Sequence, residues 1–206
     1  AKKYYGSSQA DTASSDTAVK QRTSRMDYDY KKGDYKVNLD NSSSTSTSKD
    51  TVSTIAGVEK SAKSLKSAAD KLVQSGSESV FKQTAGKYDT DKIYDAVNNF
   101  ASAYNDVITK ASASDSSSIE NAAKSMKNAT AVNAKALSKI GITIGSDNKL
   151  SVDEKTFKAA DMNSVKSLFN GNGSFGYQTE VKASMIDSAA SLEAGRSNTY
   201  TGRGSY

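Results

Sequence analysis

The sequence predicts a mainly α-helical protein: an elongated antiparallel helical bundle or coiled coil, with a small β-hairpin and a disordered amino-terminal arm. Three observations lead to this fold class. Apolar residues recur at alternating steps of three and four over long stretches, which is the spacing of a seam between packed helices. Proline, the strongest helix breaker, is absent from all 206 residues. After the third of these helical stretches, the segment 142–152 changes to the alternating apolar and polar pattern of paired strands.

The first fifty residues are predicted to form a low-complexity, disordered arm. They are rich in Ser, Thr, Asp and Lys and nearly free of aliphatic side chains, so burial cannot offset the entropy lost on ordering. Tyr35, Val37 and Leu39 alternate with polar residues and indicate one short strand. The arm also holds five tyrosines, which either anchor it to a partner or stay solvated: Tyr4, Tyr5, Tyr28, Tyr30 and Tyr35.

Residues 51–195 are predicted to form the helical domain, beginning with a helix over 51–75 that Gly76 ends. The apolar positions of this helix step alternately by three and four: Ile55, Val58, Ala62, Leu65, Ala69 and Leu72. The connection 77–90 contains a turn at 85–87 and is long enough for an antiparallel return. Its last residue, Thr90, is the predicted cap of the next helix.

The clearest helix is predicted over 91–110. Its apolar positions again lie on one narrow stripe: Ile93, Val97, Phe100, Tyr104, Val107 and Ala111. Such a helix is about 30 Å long and is not stable without packing its apolar face. We therefore expect the preceding and following helices to cover this stripe.

A third helix is predicted over 118–140. Its seam contains two polar positions, which indicates either looser packing or a side presented to another element: Ile119, Ala123, Met126, Thr130, Asn133, Leu137 and Ile140. The hairpin follows, with Ile142 and Ile144 in one strand and Leu150 and Val152 in the other. Ser151 and Glu154 fit a capping box for a helix over 152–160.

The carboxy-terminal part is predicted to contain two more helical segments. Asn163 or Ser164 caps a short one that carries Val165, Leu168 and Phe169. After the glycine-rich loop 170–176, a last helix is predicted over 176–194, ended by Gly195 and followed by a flexible tail over 196–206. We expect its buried face to contain Val181, Met185, Ala189 and Leu192.

The composition argues against most enzymatic chemistry. The chain has no Cys and no His, so ordinary zinc or copper sites and His-based nucleophile systems have no ligands or bases. Its 28 basic and 23 acidic residues are interleaved, which is typical of a solvated surface rather than a nucleic-acid interface. No apolar run is long enough to span a membrane, and no signal peptide is visible. The prediction is a non-enzyme without a catalytic residue, cofactor, metal or small-molecule substrate.

Four groups of residues deserve comparison with known kinds of site. The loop 170–176 is rich in glycine but lacks the Lys-Ser/Thr ending of a phosphate loop. Five residues resemble a calcium loop only superficially, because the required spacing and glycine are missing. They are Asp147, Asn148, Ser151, Asp153 and Glu154. We expect the acids of the central helix to be solvated, not paired for acid–base work: Asp91, Asp95 and Asp106. Tyr104 belongs to the seam, so its expected role is structural anchoring rather than partner contact.

Three segments in order carry a resemblance to a known family. They are FASAYNDV (100–107), LSKIGITIGSDNKLSVDEKTFKAA (137–160) and VKSLFNGNG (165–173). They resemble the carboxy-terminal region of FliD, the bacterial flagellar hook-associated, filament-capping protein family. That family shows an aromatic-x-x-Ala-Tyr-Asn stretch, a Leu-x-x-Leu/Ile-Gly-Ile hairpin, Leu-Ser-Leu/Val-Asp-Glu, and Val-x-x-Leu-Phe before glycines. The resemblance covers about residues 87–194 and implies long antiparallel helices with a hairpin at one end.

The chain also departs from that family. The family's terminal helical segments and β-rich outer domains have no counterpart, so the chain is more similar to short FliD-like proteins. The resemblance implies a non-enzymatic structural or interaction protein of the flagellum, outside the cell, that contacts flagellin-like or other axial proteins, or itself, through helices. Two alternatives stay open: a cell-surface adhesion module that uses the same helical domain, and a cytoplasmic partner of flagellar export.

Overall fold

A computed structural model describes the backbone of residues 26–29, 34–37 and 50–201, and the side chains of residues 50–196. The chain divides into two compact units, 1–45 and 46–206. The described helices are α1 (Val52–Val73), α2 (Thr90–Ser112), α3 (Ser117–Val132), α4 (Ala134–Lys139), α5 (Glu154–Ala159), α6 (Met162–Phe169) and α7 (Phe175–Thr201). The described strands are β1 (Met26–Asp29), β2 (Asp34–Val37), β3 (Ile142–Ile144) and β4 (Leu150–Val152). The predicted class, mainly helical with a small hairpin, is confirmed.

In the first unit, β1 and β2 pair antiparallel, with Met26 opposite Val37 and Asp29 opposite Asp34. The strand predicted from Tyr35 and Val37 is present as β2. Its partner β1 was not predicted, because the segment Met-Asp-Tyr-Asp resembles the polar sequence around it. Asp50, the last residue of the predicted disordered arm, is described, whereas Leu39 and the rest of that arm lie outside the described residues.

The second unit is built from four long helices. Helix α1 packs most extensively against α7 and less extensively against α2. Helix α3 packs mainly against α7 and has a smaller contact with α2. Two ion pairs, Lys63–Asp187 at 3.9 Å and Lys66–Glu180 at 3.3 Å, join α1 to α7 and show that the two helices run antiparallel. The result is a bundle in which α1 contacts α2 on one side and α7 on the other.

The predicted seams of α1 and α2 are confirmed, since all twelve apolar positions named for them are buried. In α2 the buried face is wider than predicted, because Ala101 and Ile108 are buried as well. The cap differs by one residue: Asp89, not Thr90, accepts the N–H of Lys92 at 3.0 Å. Helix α1 ends at Val73, and Gly76, at φ +80°, begins a short 3₁₀ helix instead of ending α1 directly.

The third predicted helix is interrupted. Asn133 ends α3 with φ −91° and ψ 3°, and α4 starts directly after it. The side-chain amide of Asn133 donates to Ala129 O, one turn earlier in α3, at 2.8 Å. Such a bond from a side chain to the backbone competes with continuation of the helix. The six other predicted seam residues are buried, so the pattern was right although one helix was expected where two are found.

The hairpin is confirmed, with Ile142 opposite Val152 and Ile144 opposite Leu150. Gly141 precedes it at φ +79°, and a Cβ there would lie 2.9 Å from Phe157 N, so α5 packs tightly on the hairpin. The predicted capping box is wrong. Asp153 caps α5 by accepting from Thr156 N at 2.7 Å, because β4 continues to Val152 and leaves Asp153 as the first residue free to cap.

Helix α6 also begins earlier than predicted. Asp161, not Asn163 or Ser164, is its cap and accepts the N–H groups of both those residues, at 3.2 and 3.0 Å. At its other end, Phe169 joins an aromatic cluster with Phe100 and Phe175, in which ring centroids lie 5.5–5.8 Å apart at steep angles. Edge-to-face ring pairs at this distance add an attraction to the hydrophobic stabilisation that comes from burying the rings. The cluster ties α2, α6 and α7 together.

Helix α7 differs most from its prediction. It continues through Gly195 to Thr201, where a flexible tail was expected; residues 202–206 lie outside the described residues. Its buried face is also the opposite one: Phe175, Gly176, Thr179, Ala183, Ile186, Ala190 and Glu193. Of the four residues predicted to be buried, Met185 and Leu192 are 49 % and 69 % exposed, and Val181 and Ala189 are half-buried. The helix has two faces with apolar residues, and the face that packs is the one that carries Phe175 and Ile186.

Candidate interaction surfaces

Asn105, the last residue of the Ala-Tyr-Asn stretch in α2, fixes the hairpin to the bundle. Its side-chain nitrogen donates to Leu150 O at 2.8 Å, and its side-chain oxygen accepts Leu150 N–H at 2.7 Å. The amide therefore pairs with both backbone groups of one residue, as a neighbouring strand would. Sequence reasoning did not single out Asn105, because its partner is 45 residues away.

Tyr104, beside it, is fully buried. Burial raises the pKa of its hydroxyl, and the neighbouring Thr130 side chain offsets part of that effect. The hydroxyl has no partner at hydrogen-bond geometry among the described residues. Thr130 donates its own hydroxyl to Met126 O at 3.0 Å. Tyr104 thus lies in the core between α2 and α3 and is inaccessible to a partner.

The acids of α2 lie apart from one another and face outward. Asp91 pairs with Lys158 of α5 at 2.6 Å, and the same ammonium pairs with Glu154 at 2.7 Å and lies 5.1 Å above the Tyr94 ring. Hydrogen bonds to Asp91 first, and to Glu154 second, raise the pKa of Lys158. Asp95 and Asp106 are exposed. The pair of Asp91 with Lys158 joins α5 to α2 at the surface.

The residues compared with a calcium loop have separate structural positions. Asp147 accepts the N–H of Lys149 at 3.1 Å in the hairpin turn, where Asn148 has φ +63°. Hydrogen bonds from Thr156, mainly its hydroxyl and then its N–H, lower the pKa of the capping Asp153. Ser151 and Glu154 are exposed neighbours in β4 and α5. Within residues 50–196, no three acidic side chains converge in a way that would hold a metal ion.

Side chains of the glycine-rich loop 170–176 form hydrogen bonds with free backbone groups at the end of α1 and the start of α7. The Asn170 side-chain nitrogen lies 2.8–3.0 Å from the carbonyl oxygens of the last residues of α1, Leu72, Val73 and Gln74. The Tyr177 N–H at the start of α7 donates to the Ser174 hydroxyl at 3.1 Å. A Cβ on Gly176 would lie 2.3 Å from Phe169 O, so this glycine lets α7 begin in contact with the end of α6.

At the opposite end of the bundle, a polar cluster connects α1, α3 and α7. Asp50 accepts the hydroxyl of Ser114 and the N–H of Asp115, the latter at 2.8 Å. Ser116, the cap of α3, donates its hydroxyl to the buried Glu193 of α7 at 3.4 Å. Arg196 also pairs with Glu193, at 3.5 Å. These contacts hold the chain reversal between α2 and α3 against α7.

A charged group also joins the outer edges of α1 and α7. Lys66 lies between Asp70 at 3.0 Å and Glu180 at 3.3 Å. Hydrogen bonds to Asp70 and then Glu180 raise the pKa of Lys66, and partial burial, followed by the nearby Asp70, raises the pKa of Glu180. The lysine thus bridges two acids that would otherwise repel each other across the helix pair.

The outward face of α7 carries an apolar stripe, here called the α7 ridge: Tyr177, Val181, Met185 and Leu192. Steps of four, four and seven place these residues on one side of the helix. Tyr177 is 38 % exposed, and Met185 and Leu192 are more exposed still. The other residues of this face between the ends of the ridge are uncharged: Gln178, Ser184 and Ser188. An uncharged apolar stripe on a chain with 25 % charged residues is a candidate contact surface.

A second surface lies along α1 and α2, here called the α1–α2 groove. It is an open groove of about 750 Å³. Six of its lining residues are small: Ala56, Ser64, Ser67, Ala68, Ala96 and Ala103. The other five have longer charged or polar side chains: Glu59, Lys60, Lys63, Lys71 and Asn99. The groove is therefore an open, mixed surface rather than the enclosed, mostly apolar pocket typical of a small-molecule site.

Two general findings complete the description of the surface. None of the helices in the described part of the chain is long and apolar enough to cross a membrane. Comparison of the chain with models of protein families, with curated proteins and with solved structures found no match to any of them. The site is therefore defined by its own geometry: two helix-sized surfaces, the α7 ridge and the α1–α2 groove, on a bundle fixed by hydrogen bonds at both ends.

Proposed function

We propose that this protein is a non-enzymatic structural or interaction protein of the bacterial flagellum. In this proposal it acts outside the cell and binds flagellar axial proteins, or other copies of itself, through contacts between helices. The proposal combines the sequence resemblance to FliD-type proteins with the surface of the bundle.

The observation that carries the proposal is that the three segments of the resemblance pack against one another. The FASAYNDV segment lies in α2, where Phe100 contacts Phe169 of the third segment at 5.5 Å between ring centroids. In the same segment, Asn105 bonds both backbone groups of Leu150 in the second segment. The three segments therefore belong to one packed unit, which is what the resemblance implies for them.

The surface supports an interaction role in a second way. The α7 ridge exposes long apolar side chains that the bundle does not need for its own core. Helix faces of this kind commonly bind in a groove between two other helices. A protein that works by helix contacts requires such a face, whereas an isolated soluble bundle gains nothing from exposing one.

The test is fractionation of the native cells, comparing wild type with a strain whose flagellar export apparatus is disabled. We expect the protein in the medium or on the surface of wild-type cells and inside cells of the mutant strain. A purely cytoplasmic location in motile wild-type cells would overturn the proposal in favour of an export partner. The same surface location in both strains would overturn it in favour of an adhesion module.

A deletion separates the adhesion module from the flagellar role by a different route. If residues 1–50 anchor the protein to the envelope, a chain without them is released from the surface. If the helical domain makes the functional contacts, the shortened chain retains binding to its axial partner in a pull-down. An intact chain that has lost only the α7 ridge, through Met185→Lys and Leu192→Lys, is the matched control for the helix-mediated contact.

A further inference from the structure

We infer that Asn172 is a site of spontaneous covalent modification, in which the backbone nitrogen of Gly173 attacks the Asn172 side chain and ammonia is released. The pair lies in the glycine-rich loop 170–176, to which the proposed function assigns no role. The inference therefore goes beyond that function and rests on the geometry of the loop.

The reaction needs an asparagine whose side-chain carbonyl carbon can be reached by the backbone nitrogen of the next residue. Glycine as the next residue allows the closest approach, because it has no Cβ. The sequence contains two such pairs side by side, Asn170–Gly171 and Asn172–Gly173. The sequence alone therefore predicts the same reactivity for both asparagines, and the structure distinguishes them.

Asn170 is held away from this reaction. It is half-buried, and its side-chain nitrogen lies 2.8–3.0 Å from the carbonyl oxygens of Leu72, Val73 and Gln74 at the end of α1. To react, this side chain must leave all three oxygens and rotate back onto its own main chain. A local opening of the loop from α1 must therefore precede the attack, and the reaction is slowed by the rarity of the open state.

Asn172 has no such restraint. It is exposed, and its side chain forms no hydrogen bond or ion pair with another described residue. The attacking group, the Gly173 N–H, donates to no backbone oxygen in the described part of the chain. A Cβ placed on Gly173 would meet no atom within 4 Å, so the space around the pair is open. Both reacting groups are thus free to approach each other.

The chemistry requires no reactant other than water. The Gly173 nitrogen loses its proton to solvent and forms a bond to Cγ of Asn172. The bond between Cγ and the side-chain nitrogen breaks, and that nitrogen takes up a proton and leaves as ammonia. Water then opens the resulting imide ring. Opening at Cγ gives aspartate at position 172, and opening at the main-chain carbonyl gives isoaspartate.

The products change the connection between α6 and α7. The turn around the pair is closed by the Ser174 N–H, which donates to Gly171 O at 3.3 Å, and the Gln178 side chain donates to Gly173 O at 3.0 Å. Isoaspartate adds one carbon to the main chain inside this turn, so the turn must change shape at the start of α7. Aspartate instead places a negative charge just before α7, where the helix dipole favours it.

The test is incubation of the folded 206-residue chain in mildly alkaline buffer, followed by cleavage after lysine and mass spectrometry. One peptide, 167–182, contains both asparagines, so its fragmentation gives both rates from the same sample. We expect Asn172 to convert at least about tenfold faster than Asn170, which corresponds to about 1.4 kcal/mol or more for opening the loop from α1. Equal rates, or a faster reaction at Asn170, overturn the inference.

The matched control is a synthetic peptide of residues 167–182, which has both Asn–Gly pairs but no α1 to hold either. We expect its two asparagines to react at similar rates. A tenfold difference in the peptide overturns the inference, because the protection of Asn170 would then not come from the fold. A folded chain in which Asn172 stays intact while the peptide reacts overturns it as well.

The variant Asn172→Ser removes the reactive side chain from an exposed position. Over the same period, its folded chain should show no conversion in the peptide 167–182. Conversion of Asn170 in this variant at the rate seen for Asn172 in the original chain would show that α1 does not protect it. These measurements use purified protein, so they can fail while the flagellar location holds, and the reverse.

Discussion

Helices α2 and α7 both carry stripes of apolar residues at steps of three and four, but they bury them differently. In α2, the single apolar stripe is the buried face, and the opposite side is polar and charged. In α7, two stripes have a similar spacing. The buried one combines Phe175 and Ile186 with alanines, Thr179 and Glu193, while Met185 and Leu192 of the other are exposed.

The comparison shows what periodicity can and cannot select. A seam between helices needs residues at the correct spacing, but its side chains must also fit the distance between the helix axes. Helix α7 begins in contact with the end of α6, where Phe175 joins the aromatic cluster, and packs against both α1 and α3. These neighbours, and not the spacing, decide which of its two candidate faces is buried.

The largest effect is expected from the core of α2. Phe100→Ala should lower the free energy of unfolding by about 3–5 kcal/mol, because it removes the ring that joins Phe169 and Phe175. Met185→Ala in α7 should change it by less than about 0.5 kcal/mol, as is usual for a surface site. Urea unfolding of both variants checks the contrast. Equal losses in the two would mean that the α7 ridge belongs to the core.

The next largest effect sharpens the contrast between positions within α7. Gly176→Ala should lower stability by about 3 kcal/mol, since the new Cβ would meet the carbonyl oxygen of Phe169. Gly195→Ala is the control, because no atom lies within 4 Å of a Cβ added there. Alanine favours the helix at that exposed position by up to about 1 kcal/mol. Thermal unfolding should shift in opposite directions for the two glycines.

A smaller effect is expected where α2 holds the hairpin. Asn105→Ala removes both hydrogen bonds to Leu150 and should lower stability by about 1–2 kcal/mol. Hydrogen exchange should show faster exchange of amide protons in β3 and β4 than in α1. The control is Asn99→Ala, an exposed position in the same helix. An unchanged exchange rate in the hairpin would show that the Asn105 contact contributes nothing.

The smallest effect is a dependence on pH at the cap of α6. Hydrogen bonds from Ser164 first, and then from the N–H of Asn163, lower the pKa of Asp161. A lowered carboxyl pKa stabilises the folded chain above the ordinary value of about 3.9, and this contribution is lost as the pH falls through the lower folded value. Asp161→Asn keeps a capping oxygen but does not titrate.

The melting temperature of Asp161→Asn should therefore fall less than that of the original chain between about pH 4 and pH 2. Asp106→Asn, which changes an exposed residue that caps no helix, serves as the control. Identical pH profiles for Asp161→Asn and the original chain would show that the cap carries no pH-dependent stability.

The sequence predicted those features that depend on neighbours in the chain. The seams of α1 and α2 and the hairpin follow from local periodicity and turn residues. The capping residues were misplaced by one to three positions, since Asp89, Asp153 and Asp161 compete with nearby Ser, Thr and Asn residues, and the preceding element decides which is free. The role of Asn105 and the orientation of α7 depend on contacts between distant segments, which no local pattern contains.

The position of α7 against α1 has a consequence for how the chain reaches its folded state. Lys66 and its partner Glu180 are separated by 114 residues, and Asn170 reaches Leu72 over 98. Proteins whose contacts join distant segments fold more slowly than those with local contacts. Helices α1 and α2 can pair early, but α1 must keep its second apolar side uncovered until α7 arrives. A helical protein of this size would ordinarily fold fast, and we expect the packing of α7 against α1 to be the slow step of folding here.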